Sequence, residues 1–140
     1  SFSGRFTSWD GVEAHPRPVS PSGPPIHVGG NSPATYRRAV LQADGWYGFG
    51  TTLASTANAR EAIRQNLETL DRPADRGRIQ VSVTPSEPVD RDLARRYEDL
   101  DVDRLILVRD FRDTAGGPHS ERTTAVLSFL ADTPTALGLD

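Results

Sequence analysis

Residues 24–46, PPIHVGGNSPATYRRAVLQADGW, decide how the rest of the chain is read. Two prolines open the stretch, and residues 26–28 read as a short buried strand, because parallel strands covered on both faces lose apolar–polar alternation. Gly29 and Gly30 end it; a glycine pair can turn sharply and leaves its N–H groups within reach of a ligand. Ser32 is a helix N-cap and Pro33 a first helical residue that loses nothing by lacking a donor. The spacing predicts a helix over 33–42. Strand, glycines and capped helix together aim free amides and the positive end of a helix dipole at one place, which suits a phosphate or carboxylate. The pattern is neither the P-loop nor the dinucleotide fingerprint, and the same residues equally make a plain strand-to-helix turn whose glycines serve sterics alone.

The wider stretch, residues 15–46, carries linked elements in a fixed order: Pro-x-Pro at 16–18, Pro-Pro-Ile-x-Val-Gly-Gly-x-Ser at 24–32, Arg-Arg-Ala at 37–39 and Ala-Asp-Gly-Trp at 43–46. In this it resembles the luciferase-like monooxygenase family, especially the branch that uses the deazaflavin coenzyme F-420. The resemblance implies an α/β fold, the eight-stranded parallel β/α (TIM) barrel, with Gly29, Gly30, Asn31 and Ser32 in a coenzyme-binding loop after the fifth strand. It implies hydride transfer between F-420 and a small organic substrate, with an FMN-dependent monooxygenase as the alternative on the same barrel. A non-catalytic half barrel serving as an assembly subunit is the alternative outside enzymes.

A complete barrel of this type takes about 250 residues, whereas the chain has 140. The resemblance therefore implies a C-terminal half: four strand–helix units over 24–140 behind a small hairpin and proline-rich connector over 1–23. The chain starts at Ser1 and contains no methionine, so a processed, cleaved or excised piece is expected, the remainder holding the first four strands. Half a barrel leaves two strand edges and an inner face open, and so is expected to self-associate or to pair with its N-terminal half. The family's proton-transfer residues lie on the early strands, and no catalytic residue is assigned here. Leu100 and Asp101 precede residues 102–105, Val-Asp-Arg-Leu, where family members often have glycine.

Composition sets outer bounds. Apolar residues make up 36% and charged residues 25%, compatible with a globular domain. No run is long enough to cross a bilayer, and residues 1–20 lack the regions of a signal peptide, so a cytoplasmic location is expected. A net charge of −3, spread along the chain, offers no footprint for nucleic acid. Without cysteine there is neither disulfide nor thiol nucleophile. All basic residues are arginine, a feature of GC-rich coding, and such genomes include many F-420 users.

In chain order, Asp10-Gly11 among Phe6, Trp9 and Val12 predicts a hairpin turn, and the prolines between 16 and 25 an extended connector. Residues 45–47 read as a strand running into a glycine-rich loop at Gly48 and Gly50, with Trp46 and Tyr47 as substrate-pocket candidates or core. Ser55 or Thr56 is expected to cap a helix over 57–70, followed by a strand over 79–84, a helix from Asp90 to about residue 100, a last strand over 103–108 and a helix over about 120–131. Arg109 lies where the last strand emerges; it is either an anion ligand or a partner in an Arg109–Asp110 ion pair. His15, His27 and His119 lack metal-ligand spacing, so no metal site is expected. Arg37 and Arg38 face different ways, and one of them can approach a phosphate.

Overall fold

The computed structural model describes residues 1–13, 15–20, 23–108 and 118–138. Strands β3 (His27–Gly29), β4 (Gly45–Thr51), β5 (Gln80–Pro85) and β6 (Arg104–Leu105) form one sheet in that order, and every neighbouring pair is parallel. Parallel neighbours cannot be joined by a tight turn. Helices α1 (Pro33–Gln42), α2 (Leu53–Thr69) and α3 (Arg91–Glu98) accordingly separate them, and α4 (His119–Leu137) follows β6. The strand order never reverses, as it would in a doubly wound sheet; consecutive β/α-barrel units have this arrangement.

Register and burial divide the sheet into two faces. On the helix side Trp46 pairs with Val81 and Gly48 with Val83, and Trp46, Val81 and Val83 pack with Ala39 and Val40 of α1, Ala59 and Ile63 of α2 and Tyr97 of α3 in one core. Alternation along a strand sends the intervening residues to the other face. At the strand N-termini, two aspartates repeat one device. Asp44 accepts the Ile26 N–H at 2.7 Å and faces Arg76 at 3.4 Å, while Asp103 accepts the Val81 N–H at 2.7 Å and pairs with Arg78 through both carboxylate oxygens. Each thereby ties its own strand to the preceding neighbour.

Burial alone would raise the Asp103 carboxyl, but the hydrogen bonds from Arg78 and from Val81 outweigh it and hold its pKa below the ordinary aspartate value. A carboxyl depressed in the folded state contributes stability above its unfolded pKa, about 3.9, and loses it as pH falls through the folded value. Asp103→Asn is expected to lower stability at neutral pH by about 1–2 kcal/mol. Denaturant melts should show that deficit shrinking as pH falls below the ordinary aspartate value and the carboxylate is protonated. A deficit independent of pH would assign the loss to packing.

Several boundaries differ from the sequence expectation, each for a local reason. Helix α2 starts at Leu53 because Thr52 is the N-cap: its hydroxyl accepts from Ser55 N–H at 3.2 Å, and the Ser55 hydroxyl accepts from Thr52 N–H at 2.9 Å. Glycines 48 and 50 lie within β4 rather than in a loop; Gly50, at φ +62°, absorbs the register shift between Phe49 and Thr51. The ladder of β6 is shorter than 103–108, although Ile106 still donates to Val83 O at 2.8 Å. Helix α4 extends through Pro134 to Leu137, ending where Gly138 turns left-handed at φ +68°.

The N-terminal hairpin forms, but not around Asp10-Gly11. Strand β1 (Phe2–Ser3) pairs with β2 (Ser8–Trp9), closed by Gly4 N–H to Thr7 O at 2.9 Å. Phe2 stacks on Trp9 with ring centroids 4.7 Å apart. That aromatic cross-strand pair fixes the register, whereas Asp10-Gly11 has no second apolar strand to return to. Among the described residues no helix is long and apolar enough to cross a membrane.

Candidate functional site

At the C-terminal end of β3 the chain turns through Gly30, whose φ of +118° is closed to L side chains. A Cβ there would lie 3.1 Å from Thr35 Oγ1. The Gly30 carbonyl is held by the Trp46 indole N–H at 2.8 Å. Ser32 caps α1: its hydroxyl accepts from Thr35 N–H at 3.3 Å and shares a 2.9 Å hydrogen bond with Thr35 Oγ1. The first turn contains no acidic residue, and its leading amides have no partner within the helix. Arg38 reaches back so that Nη2 lies 3.5 Å from Thr35 Oγ1. Residues 29–34 are exposed. Glycine-only backbone, a helix N-terminus without a competing carboxylate and a guanidinium one turn away make a cradle suited to a phosphate.

Beside the loop, the sheet face turned away from the helices is built in rows. His27, Gly45 and Gln80 are in register, as are Gly29, Tyr47, Ser82 and Arg104, and Phe49 pairs with Thr84. The His27 imidazole fills the space of a Gly45 side chain, since a Cβ there would come within 2.6 Å of Cε1. Tyr47 shares a 2.7 Å hydrogen bond with Thr84 Oγ1 and meets Phe49 edge to face. Ser82 Oγ is buried without a hydrogen-bond partner. Among the described residues no group of three metal-ligating side chains comes together.

The family model for luciferase-like monooxygenases matches residues 1–131. The chain belongs to the luciferase-like monooxygenase family. That places it with enzymes of the flavin-type oxidoreductase and monooxygenase class. Searches of curated proteins and of solved structures return no significant match.

In this luciferase-like chain the residues singled out from sequence separate. Gly29, Gly30, Asn31 and Ser32 come together in the exposed loop, and Tyr47 reaches the sheet face turned away from the helices. Trp46 does not line a pocket: it is fully buried on the helix side, edge to face with Tyr36 at 6.0 Å. Register explains the correction, because Trp46 alternates with Tyr47 and pairs with the core residue Val81. Its polar tip still serves the loop through Gly30 O. Trp46→Phe, which keeps most of the packing and removes that bond, is expected to destabilise the fold by about 2 kcal/mol; an unchanged chemical-denaturation midpoint would contradict this. Arg109 and Asp110 lie outside the described residues.

Sequence reasoning missed Thr35, Ser82 and Thr84. Thr35 was legible in principle as the third residue after an N-cap serine, the position that meets the cap. Ser82 and Thr84 alternate with Val81 and Val83, and so read from sequence as an ordinary solvent-facing side.

Proposed function

We propose that this chain is the C-terminal half of an F-420-dependent oxidoreductase barrel and supplies the seat for the coenzyme phosphate. The observation that carries this is the Gly30 turn: left-handed backbone, braced by Trp46, opening onto the capped and acid-free N-terminus of α1. Amides of Asn31, Ser32 and Ala34 and the Arg38 guanidinium hold the phosphate, and Tyr47 and Phe49 offer aromatic surface on the adjoining face. When bound, the coenzyme supplies a ring that accepts or donates a hydride. Residues of this chain bind and orient it; the proton-handling groups belong to the complementary half. The motifs over residues 15–46 favour F-420 over FMN. The small organic substrate is bound jointly by both halves.

Titration of the intact protein with F-420 and with FMN tests the assignment. Saturable F-420 binding and F-420-dependent turnover are expected, with no turnover by these 140 residues alone. Tight FMN binding without F-420 binding would assign the barrel to a flavin monooxygenase instead.

A further inference from the structure

The inner face of this sheet is unusual in composition. Interiors of β/α barrels are filled mainly by branched aliphatic residues, yet here the face presents His27, Tyr47, Ser82, Thr84 and Arg104. Two of these are chemically incomplete. Ser82 is 2% exposed and its hydroxyl has no partner, a condition that buried polar groups rarely tolerate. Arg104 stands in register beside it, exposed and without an ion pair or hydrogen bond to any described residue. The sheet also ends in two open edges, β3 and β6, which are templates for further strands.

On the reading that the sheet is half of a barrel, we infer that the interior of the closing half places a carboxylate against Arg104 and a hydrogen-bonding group against Ser82. Closure removes water from the guanidinium, and a desolvated charge is tolerated only beside an opposite one. A second copy of this chain cannot supply it from the same face: the described residues in its rows include no aspartate or glutamate. Two copies would bring arginine toward arginine. The open face is therefore complementary to a half barrel other than its own copy, one that presents a carboxylate opposite Arg104.

The test uses the intact protein, comparing Arg104→Gln and Arg104→Lys with the wild type in thermal melts from pH 4 to 7.5. Removing the cation strands a carboxylate. Arg104→Gln is expected to melt several degrees lower at pH 7.5, with the gap narrowing as acid neutralises the carboxylate, while Arg104→Lys retains most of the wild-type stability. Failure of Arg104→Gln to fold while Arg104→Lys folds would equally support a requirement for charge. Equal losses in the two variants, a gap that ignores pH, or no gap would overturn the inference. Amide exchange on the same wild-type protein separates the two levels. Fast exchange along β3 and β6 would reject the half-barrel reading itself; slow exchange there with a pH-independent Arg104→Gln gap would reject only the acidic partner. Formation by the 140-residue chain alone of a discrete dimer with both edges protected would also overturn it.

Discussion

Arg72→Ala is expected to lower the melting temperature by about 10 °C, the equivalent of about 3 kcal/mol for a chain of this size. One guanidinium closes two open ends at once. Nη1 donates to the carbonyls of Ala39, Val40 and Ala43 at 3.2, 2.8 and 2.9 Å, and so serves the last turn of α1, whose final carbonyls have no partner within the helix. Nε donates to Gly77 O at 2.7 Å and Nη2 to Arg76 O at 3.2 Å, holding the loop between α2 and β5 against that helix end. A cation at a helix C-terminus also offsets the dipole. Burial, then the neighbouring charge of Arg76, pushes the Arg72 pKa down from its usual value, but an arginine so bonded stays protonated at neutral pH. Calorimetry of the wild type, Arg72→Ala and Arg72→Lys checks the account. Lysine, lacking the planar fork, should recover only part of the loss. A melting temperature within 2 °C of the wild type for Arg72→Ala, well inside the shift expected from lost charge-assisted bonds, would show that water replaces the guanidinium without penalty.

Gly30→Val is expected to weaken coenzyme binding by the intact protein at least tenfold, about 1.4 kcal/mol, and to cost about 1–3 kcal/mol of stability. The residue sits at φ +118°, where a branched side chain is strained whatever its surroundings, and the added Cβ presses on Thr35 Oγ1, the atom bonded to the Ser32 cap. Relief of either contact moves the amides that face the ligand. Gly29 is the internal control: a Cβ there would meet Tyr47 O at an ordinary 3.7 Å, and its φ is not positive. Gly29→Ala should leave the fold intact. Unchanged coenzyme affinity in folded Gly30→Val would return the glycine pair to a steric turn.

Much of the fold was legible because its signals are local. Ser32, Pro33 and the spacing of Ala39 and Val40 specify α1 with the bounds the structure shows, and the Asp90 cap of α3 is equally direct, accepting Leu93 N–H at 2.8 Å. Where a boundary depended on partners across the sheet, local reading failed. Gly48 looks like a loop residue until Val83 of β5 pairs with it, Gly50 until the register shift between Phe49 and Thr51 carries the strand past it, and Thr52 precedes the first residues of α2 that show helical periodicity. Site residues divide in the same way. The loop after β3 announces itself through glycine and capping chemistry, whereas the destination of Trp46 is decided by strand parity. Since a shift of one residue moves a strand side chain from one face to the other, the sequence alone could not tell pocket from core there. Ser82 and Thr84 were invisible as buried residues of the face turned away from the helices, because alternation with valine is also what an exposed face looks like.

The central claim is that the Gly30 loop and the N-terminus of α1 seat a phosphate, and paired ligands test it without prejudging the coenzyme. The intact protein is titrated with F-420 and its phosphate-free deazaflavin, and with FMN and riboflavin, while amide resonances of Asn31, Ser32 and Ala34 are followed. The phosphate-bearing member of the preferred pair should bind about a hundredfold more tightly, as two charge-assisted hydrogen bonds imply, and should shift those three amides. Equal affinity within each pair, or phosphate-dependent shifts confined to other loops, would contradict it.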